Sequence, residues 1–260
     1  MSTYYESELP HVQQPRMTWA VQRLIFANTA VFAGQLLLDI PFGLPVRLAG
    51  FMGPPGGSLV SLLAFQPMSL LSGMLWKPLT YMFLHNDLTH LFFNMLWLFF
   101  FGPEVERVLG TRQFIRFYLL CGAVGVLATF VPLLVRGDDV SVTGSSGAAM
   151  GVMIAFAMAN PDRQFFLFPL PIPVTARALV IIIVAMNILM GFQGGVTSVS
   201  THLGGMAVGY GYMKLIPHLH ERQRDFWRKK YAKKNPIDPL GAAVDNIFKF
   251  DEEKRKRGDR

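Results

Sequence analysis

The sequence predicts an all-α, polytopic membrane protein built as a bundle of six transmembrane helices. Hydrophobic residues make up 52% of the 260 residues and charged residues only 16%. Several apolar runs approach the roughly 20 residues that a spanning helix needs. Connections rich in Gly, Pro or charge separate these runs, and helices are one of the two backbone forms that can cross a bilayer.

The six predicted helices follow one another with short connections after the second. The connection between the first and second helices, residues 41–87, holds only apolar pieces too short to span. We expect these pieces to lie at the membrane interface, with Trp76 among the aromatic residues enriched there. The predicted helices cover residues 24–38, 88–101, 114–135, 146–160, 176–192 and 201–216.

The distribution of positive charge predicts the orientation. An even number of helices places both termini on one side. Of the 24 Lys and Arg residues, only Arg47, Lys77 and Arg136 fall on the other side. Because cytoplasmic loops carry the excess of positive charge, both termini are expected in the cytoplasm. We expect a multi-pass protein of the bacterial inner membrane, without a cleavable signal peptide.

Three segments follow from this pattern. Residues 1–19 form a polar cytoplasmic segment, residues 20–217 the membrane domain, and residues 218–260 a basic cytoplasmic tail. Clustered Lys and Arg beside a membrane bind anionic lipid, so the tail is expected at the lipid surface. We expect no nucleic-acid partner.

A serine at the start of the fourth helix is the first candidate functional residue. Ser146 lies in Gly144-Ser145-Ser146-Gly147, directly before an apolar run that ends at Asn160. A hydroxyl in hydrocarbon is costly without a partner, which makes it a functional candidate. The alternative is a helix N-cap, a frequent role for serine at such a position.

Small residues predict that the fourth and sixth helices pack closely together. Gly147 and Gly151 lie one turn apart in the fourth helix, and Gly205 and Gly209 lie one turn apart in the sixth. Small residues at this spacing allow the backbones of membrane helices to approach.

This packing would bring His202 to Ser146. Each residue is predicted at the first or second position of a helix too short to reach the outer surface, so their depths should match. A histidine beside a serine can act as the base that activates a nucleophile. Alternatively, His202 is a polar residue whose hydrogen bonds are satisfied, and the glycines serve only packing.

The second helix supplies further polar side chains. His90 and Asn94 are four residues apart and therefore share one helix face. Both can donate hydrogen bonds to an oxyanion. A metal site of His85, His90 and His202 is the competing interpretation, but no H-E-x-x-H motif or suitably spaced carboxylate supports it. We therefore expect neither a metal nor a cofactor.

Together these motifs resemble the rhomboid intramembrane serine proteases. The similarity is carried by G-x-S-G at Ser146, H-x-x-G-x-x-x-G at His202, H-x-x-x-x-H-x-x-x-N from His85 to Asn94, and the segment from Glu106 to Gly110. It extends over roughly residues 20–217.

The resemblance implies a catalytic dyad without an acidic third member. Ser146 would be the nucleophile and His202 the general base. The substrate would be the transmembrane segment of a single-pass protein, cut near its outer end. The backbone N–H of Ser146 and the side chains of His90 and Asn94 would hold the oxyanion, and Gly144 and His85 would support this site.

Two positions depart from the family pattern. Trp76-Lys77 stands where the family often has Trp-Arg. The lysine lacks the planar group of hydrogen-bond donors that an arginine would supply. Met150 stands where many bacterial members have a tyrosine that packs on the histidine.

Two other functions are considered: a catalytically silent, rhomboid-like binder or chaperone of transmembrane helices, and a transporter. Retention of both dyad residues disfavours the binder, and polar residues clustered near one face disfavour the transporter.

Overall fold

The structure, a computed structural model, describes the backbone of residues 17–48, 58–166, 173–192 and 195–232. Most of the predicted N-terminal segment, and the tail after Ala232, lie outside the described residues. The side chains of the tail before Ala232 lie outside them too.

The described residues are predominantly helical, and a single short antiparallel hairpin among them pairs Gln164 with Thr175. Two 3₁₀ turns, Tyr81–Phe83 and Val126–Thr129, join consecutive helices. The elements are α1 Trp19–Leu48, α2 Ser58–Leu63, α3 Pro67–Leu71, α4 Lys77–Thr80, α5 Leu88–Leu109, α6 Thr111–Gly125, α7 Phe130–Arg136, α8 Ser146–Ala159, β1 Gln164–Phe166, β2 Pro173–Thr175, α9 Ala176–Phe192 and α10 Val196–Ala232.

The predicted helical class is confirmed, whereas the count of six spans stays a prediction. Among the described residues, one helical stretch, Thr111–Arg136, is both long and apolar enough to cross a bilayer. The helices α8 and α9 are apolar but shorter.

Helix ends differ from the prediction at four prolines. The helix α1 extends through Pro41 and Pro45 to Leu48. The helix α5 continues through Pro103 to Leu109, and α10 continues through Pro217 to Ala232. A proline removes one intrahelical hydrogen bond without forcing the chain out of the helix, and neighbouring helices can compensate in membranes. The helix α10 also begins at Val196, five residues before the predicted start.

Glu106 lies inside α5, beyond the predicted end of that helix at residue 101. The residue is only 4% exposed, and its carboxylate accepts hydrogen bonds from the backbone N–H groups of Ala20 and Val21, each at 3.1 Å. The Thr111 hydroxyl donates a further bond of 2.7 Å. Because the first N–H groups of a helix lack intrahelical partners, Glu106 satisfies the start of α1 from a distant part of the chain.

The connection from α2 to α4 is held together by a buried lysine. Lys77 is 2% exposed, and its ammonium donates hydrogen bonds to the Ser61 carbonyl at 3.0 Å and the Ser69 hydroxyl at 3.2 Å. Burial lowers the pKa of the Lys77 ammonium, and the nearby Asp139 carboxylate opposes this shift. Lys77 therefore stabilises this connection through hydrogen bonds from its ammonium group, which lacks the planar set of donors of an arginine.

The same connection supports the loop before α8. Phe65 and Val142 exchange two backbone hydrogen bonds, of 3.0 and 2.8 Å. The carboxylate of Asp139 accepts a bond of 3.1 Å from the backbone N–H of Met68. These bonds fix the position from which the chain enters α8.

Candidate active site

Ser146 is the first residue of α8, and the preceding Ser145 occupies the N-cap position. The Ser145 side chain makes no capping hydrogen bond, although its carbonyl accepts the first helical bond, from Ala149 at 2.9 Å. The N–H groups that begin α8 therefore have no partner within the helix and carry its positive dipole end. The Ser146 hydroxyl is thus placed beside a set of backbone donors.

His202 lies within hydrogen-bonding distance of Ser146. The distance from His202 Nε2 to Ser146 Oγ is 2.9 Å. The prediction that His202 begins its helix is wrong, because α10 starts at Val196 and His202 is more than one turn inside it. The two side chains meet where α8 and α10 cross.

Glycines allow that crossing. A Cβ on Gly205 would collide with the carbonyl oxygen of Gly147. A Cβ on Gly209 would lie 2.8 Å from the carbonyl oxygen of Gly151. Backbone therefore meets backbone at two successive turns, and the absence of side chains at these positions sets the separation of the two helices.

The loop before Ser146 also lies very close to His90. Gly144 has a φ of +102°, a conformation that side chains rarely adopt, and its N–H donates to the Tyr81 carbonyl at 2.9 Å. A Cβ at Gly144 would lie 2.6 Å from His90 Nε2 and 3.4 Å from Asn94 Nδ2. His90 and Asn94 are therefore both neighbours of the loop that presents Ser146.

Asn94 offers an unused donor at this place. The residue is 4% exposed, and its Nδ2 has no hydrogen-bond partner among the described residues. A buried amide without a partner is costly, and such groups call for an explanation. An oxyanion formed beside Gly144 is an acceptor of the required kind.

His85 packs against His90. Its ring is fully buried, and neither ring nitrogen has a hydrogen-bond partner in the described part of the chain. The rings of His85 and His90 meet edge to face with centroids 5.1 Å apart. Among the described residues, no three His, Cys, Asp or Glu side chains are grouped as a metal site would require.

Gln35 is a supporting residue that the sequence analysis did not single out. Its amide oxygen accepts from the His85 backbone N–H at 3.0 Å, and its amide nitrogen donates to the His85 carbonyl at 3.3 Å. Gln35 is 1% exposed. The side chain thus holds the backbone of His85 from α1, and a buried polar residue in an apolar helix was the available signal.

Asn187 is the second residue that the sequence analysis missed. It lies on α9 and is 5% exposed. Its Oδ1 is 2.7 Å from His202 Nδ1, and its Nδ2 donates to the Ile183 carbonyl at 2.8 Å. The imidazole of His202 is therefore held at both nitrogens, by Ser146 and by Asn187.

Several known proteins are similar in sequence to this part of the chain. A family profile described as Rhomboid domain matches residues 72–218. Rhomboid protease GluP of Bacillus subtilis is 31% identical over 156 residues, which are 59% of this chain and 28% of GluP. Putative rhomboid protease YdcA of Bacillus subtilis is 29% identical over 154 residues, 58% of this chain and 72% of YdcA.

A relative from a eukaryote is also similar. Rhomboid protein 1, mitochondrial, of Saccharomyces cerevisiae is 32% identical over 145 residues, 55% of this chain and 42% of that protein. The chain thus spans less than a third of GluP and less than half of the yeast protein. Because the rhomboid profile covers more than half of the 260 residues, the chain belongs to the rhomboid family and is an integral membrane protein.

Proposed function

We propose that this protein is an intramembrane serine endopeptidase that cleaves within or near transmembrane segments of other proteins. The observation that carries the proposal is the 2.9 Å approach of His202 Nε2 to Ser146 Oγ at the N-terminus of α8. A nucleophile, a base and a set of backbone donors are the components that acyl transfer requires.

In the proposed reaction, Ser146 Oγ attacks the carbonyl carbon of the scissile peptide bond while its proton passes to His202 Nε2. The carbonyl oxygen becomes an oxyanion, which accepts hydrogen bonds from the N–H groups at the start of α8 and from Asn94 and His90. His202 then protonates the leaving amine, which leaves an acyl ester on Ser146. Water, deprotonated by His202, hydrolyses the ester and restores both groups.

We propose a six-span arrangement in which α1, α5, α6 with α7, α8, α9 and α10 cross the membrane. The short α2–α4 segment and the β1–β2 hairpin would lie outside the spans. The positive charge of the connections supports cytoplasmic termini, and the bacterial inner membrane is the proposed location. The membrane domain would cover residues 20–217, between the polar segment 1–19 and the basic tail 218–260.

Single-pass transmembrane proteins are the proposed substrates. The support is the position of the Ser146–His202 pair at the end of the apolar helix α8, where a spanning peptide could reach it. The basic tail is proposed to bind anionic lipid at the cytoplasmic face.

Labelling with a fluorophosphonate probe in detergent tests the proposal. Such a probe reacts with a serine that a base and an oxyanion-binding site activate. We expect labelling of the wild type and its loss in Ser146→Ala and His202→Ala. Ser145→Ala is the matched control, since Ser145 is the adjacent serine and its hydroxyl has no hydrogen-bond partner among the residues that the structure describes.

Two results would contradict the proposal: a folded wild type that does not label, or labelling that survives Ser146→Ala. The catalytically silent binder of transmembrane helices would then be the better interpretation. After positive labelling, cleavage of reconstituted single-pass substrates by the wild type, and not by Ser146→Ala, establishes the endopeptidase reaction.

A further inference from the structure

We propose that Asn187 is a positioning residue that fixes the tautomer and ring orientation of His202, so that Nε2 is available as the base for Ser146. The inference rests on the proposed function and deepens it. It adds a neutral third member, supplied by α9, to the pair formed by α8 and α10.

The geometry uses both ends of the Asn187 amide. Nδ2 donates to the carbonyl of Ile183, one turn earlier in α9, at 2.8 Å. Oδ1 lies 2.7 Å from His202 Nδ1. The residue is 5% exposed and stands in the apolar run of α9 that follows Arg177, where an amide without partners would be costly.

The bond to Ile183 determines which amide atom faces the histidine. A carbonyl oxygen only accepts hydrogen bonds, so Nδ2 must point to it. Turning the amide over would set Oδ1 against the Ile183 carbonyl, which places two acceptors in contact. Oδ1 therefore faces the His202 ring.

The orientation of the amide then determines the tautomer of the ring. Because Oδ1 can only accept, Nδ1 of the neutral imidazole carries the proton, and Nε2 keeps its lone pair. The Ser146 hydroxyl at 2.9 Å therefore donates to Nε2. When Nε2 takes the serine proton, the Nδ1–H bond to Asn187 remains, so the ring need not turn between the two steps.

An amide suits this position better than a carboxylate would. In soluble serine proteases an aspartate orients the histidine, but a charged carboxylate at membrane depth is expensive. An amide gives the same control of the tautomer without the cost of a buried charge. Because it carries no full charge, its contribution is orientation more than stabilisation of the imidazolium.

Asn28 provides a matched comparison within the chain. It is also buried in a helix, α1, and its Nδ2 also donates to the carbonyl one turn earlier, Leu24, at 2.7 Å. Its Oδ1, however, has no hydrogen-bond partner within the described ranges of the chain. Asn28→Leu therefore removes the same bond along the helix without touching a histidine.

The kinetic test compares Asn187→Leu, Asn187→Asp and Asn28→Leu on a transmembrane substrate. We expect Asn187→Leu to lower kcat by about 10²-fold or more, within the roughly 10²–10⁴-fold that general acid–base catalysis contributes. KM should change less than about twofold, because binding contacts are intact. Asn187→Asp keeps an acceptor for Nδ1–H but sets a second acceptor against the Ile183 carbonyl, so it should recover only part of kcat. Asn28→Leu should stay within about twofold of wild type.

Nitrogen NMR of ¹⁵N-histidine-labelled protein in micelles reads the tautomer directly. The His202 signals are assigned from their absence in His202→Ala. We expect a protonated Nδ1 and an unprotonated Nε2 in the wild type. In Asn187→Leu the protonated Nε2 form should appear, because Nε2–H can donate to Ser146 Oγ once Nδ1 has lost its acceptor.

The inference is overturned if Asn187→Leu keeps the wild-type tautomer, or if it loses no more kcat than Asn28→Leu. A tautomer change without any probe labelling of the wild type would support the positioning contact and refute the proposed protease. Labelling that depends on Ser146 but not on Asn187 would support the protease and refute the role of Asn187.

Discussion

The helices α8 and α9 both contribute to the candidate site, yet they are embedded very differently. The helix α8 buries nine of its 14 residues, and the others include a half-buried stripe of Ser146, Met150, Ile154 and Met158. The helix α9 buries four of its 17, Ala176, Leu179, Ile183 and Asn187, which recur every three or four residues as a single stripe. The helix α8 carries Ser146, and α9 carries Asn187, whose amide holds His202.

This difference separates two ways of placing a functional group. Ser146 is fixed because most of α8 is buried and its Gly147 and Gly151 lie directly against the backbone of α10. Asn187 is the last member of one buried stripe, and its position depends on the rotation of α9 about its own axis. We expect substitutions at the α8–α10 contact to destabilise the whole bundle. Substitutions elsewhere on α9 should leave the free energy of unfolding almost unchanged.

The largest effect is expected for Gly205→Ala. The new methyl group would overlap the Gly147 carbonyl, so the two backbones must separate. Overpacking a filled core costs about 1–3 kcal/mol and occasionally more, and an overlap with backbone should reach about 3 kcal/mol. The free energy of unfolding in mixed micelles measures this cost, and probe labelling of Ser146 should fall with it.

Gly211→Ala is the control for that substitution. Gly211 lies on the same helix and is exposed, and a methyl group added there would have no described atom within 4 Å. Alanine favours a helix over glycine by up to about 1 kcal/mol, so this variant should be as stable as the wild type or slightly more stable. Equal losses for both variants would show that the α8–α10 contact is no tighter than the rest of α10.

A smaller effect on the free energy of unfolding is expected when a buried methionine of α8 is truncated, and an exposed methionine of α9 is the control. Met153 on α8 is 1% exposed and Met186 on α9 is 56% exposed. Truncating a buried methionine costs about 2–5 kcal/mol through lost contacts and the cavity left behind. Met153→Ala should therefore lower the free energy of unfolding by about 2 kcal/mol, whereas Met186→Ala should change it by less than about 0.5 kcal/mol. Similar losses would indicate that the outward face of α9 is covered in the folded protein.

The smallest effect is expected for Gly191→Ala, where α9 approaches α10. The added methyl group would lie 3.7 Å from Val199 Cγ1, an ordinary van der Waals distance. Stability should stay level or rise by no more than about 1 kcal/mol. A loss as large as that of Gly205→Ala would contradict the loose packing of α9 and make the two helices alike.

The proximity of Ser146 and His202 could be expected from the sequence, because close approach leaves a local signature. Gly147 with Gly151, and Gly205 with Gly209, each recur every four residues, and the absence of side chains along a helix face is visible without a structure. The predicted helix starts were less accurate. The polar, β-branched residues after Val196 resemble a connection, yet they form the beginning of α10.

The supporting amides could not be assigned from the sequence. Asn187 is 15 residues from His202, and Gln35 is 50 residues from His85, and neither pair has a spacing that implies contact. Each contact depends on how one helix is rotated and displaced against another. A polar residue within an apolar run signals a role, but only tertiary packing identifies its partner.

The bonds between Glu106 and the start of α1 have a consequence for biogenesis. The carboxylate that completes α1 lies 86 residues after Ala20, and at about 5–20 residues per second it leaves the ribosome roughly 4–17 s later. Over that interval the N–H groups in the first turn of α1 lack the partner that they have in the folded protein. The N-terminal helix therefore reaches its final anchorage only after this part of α5 has been synthesised.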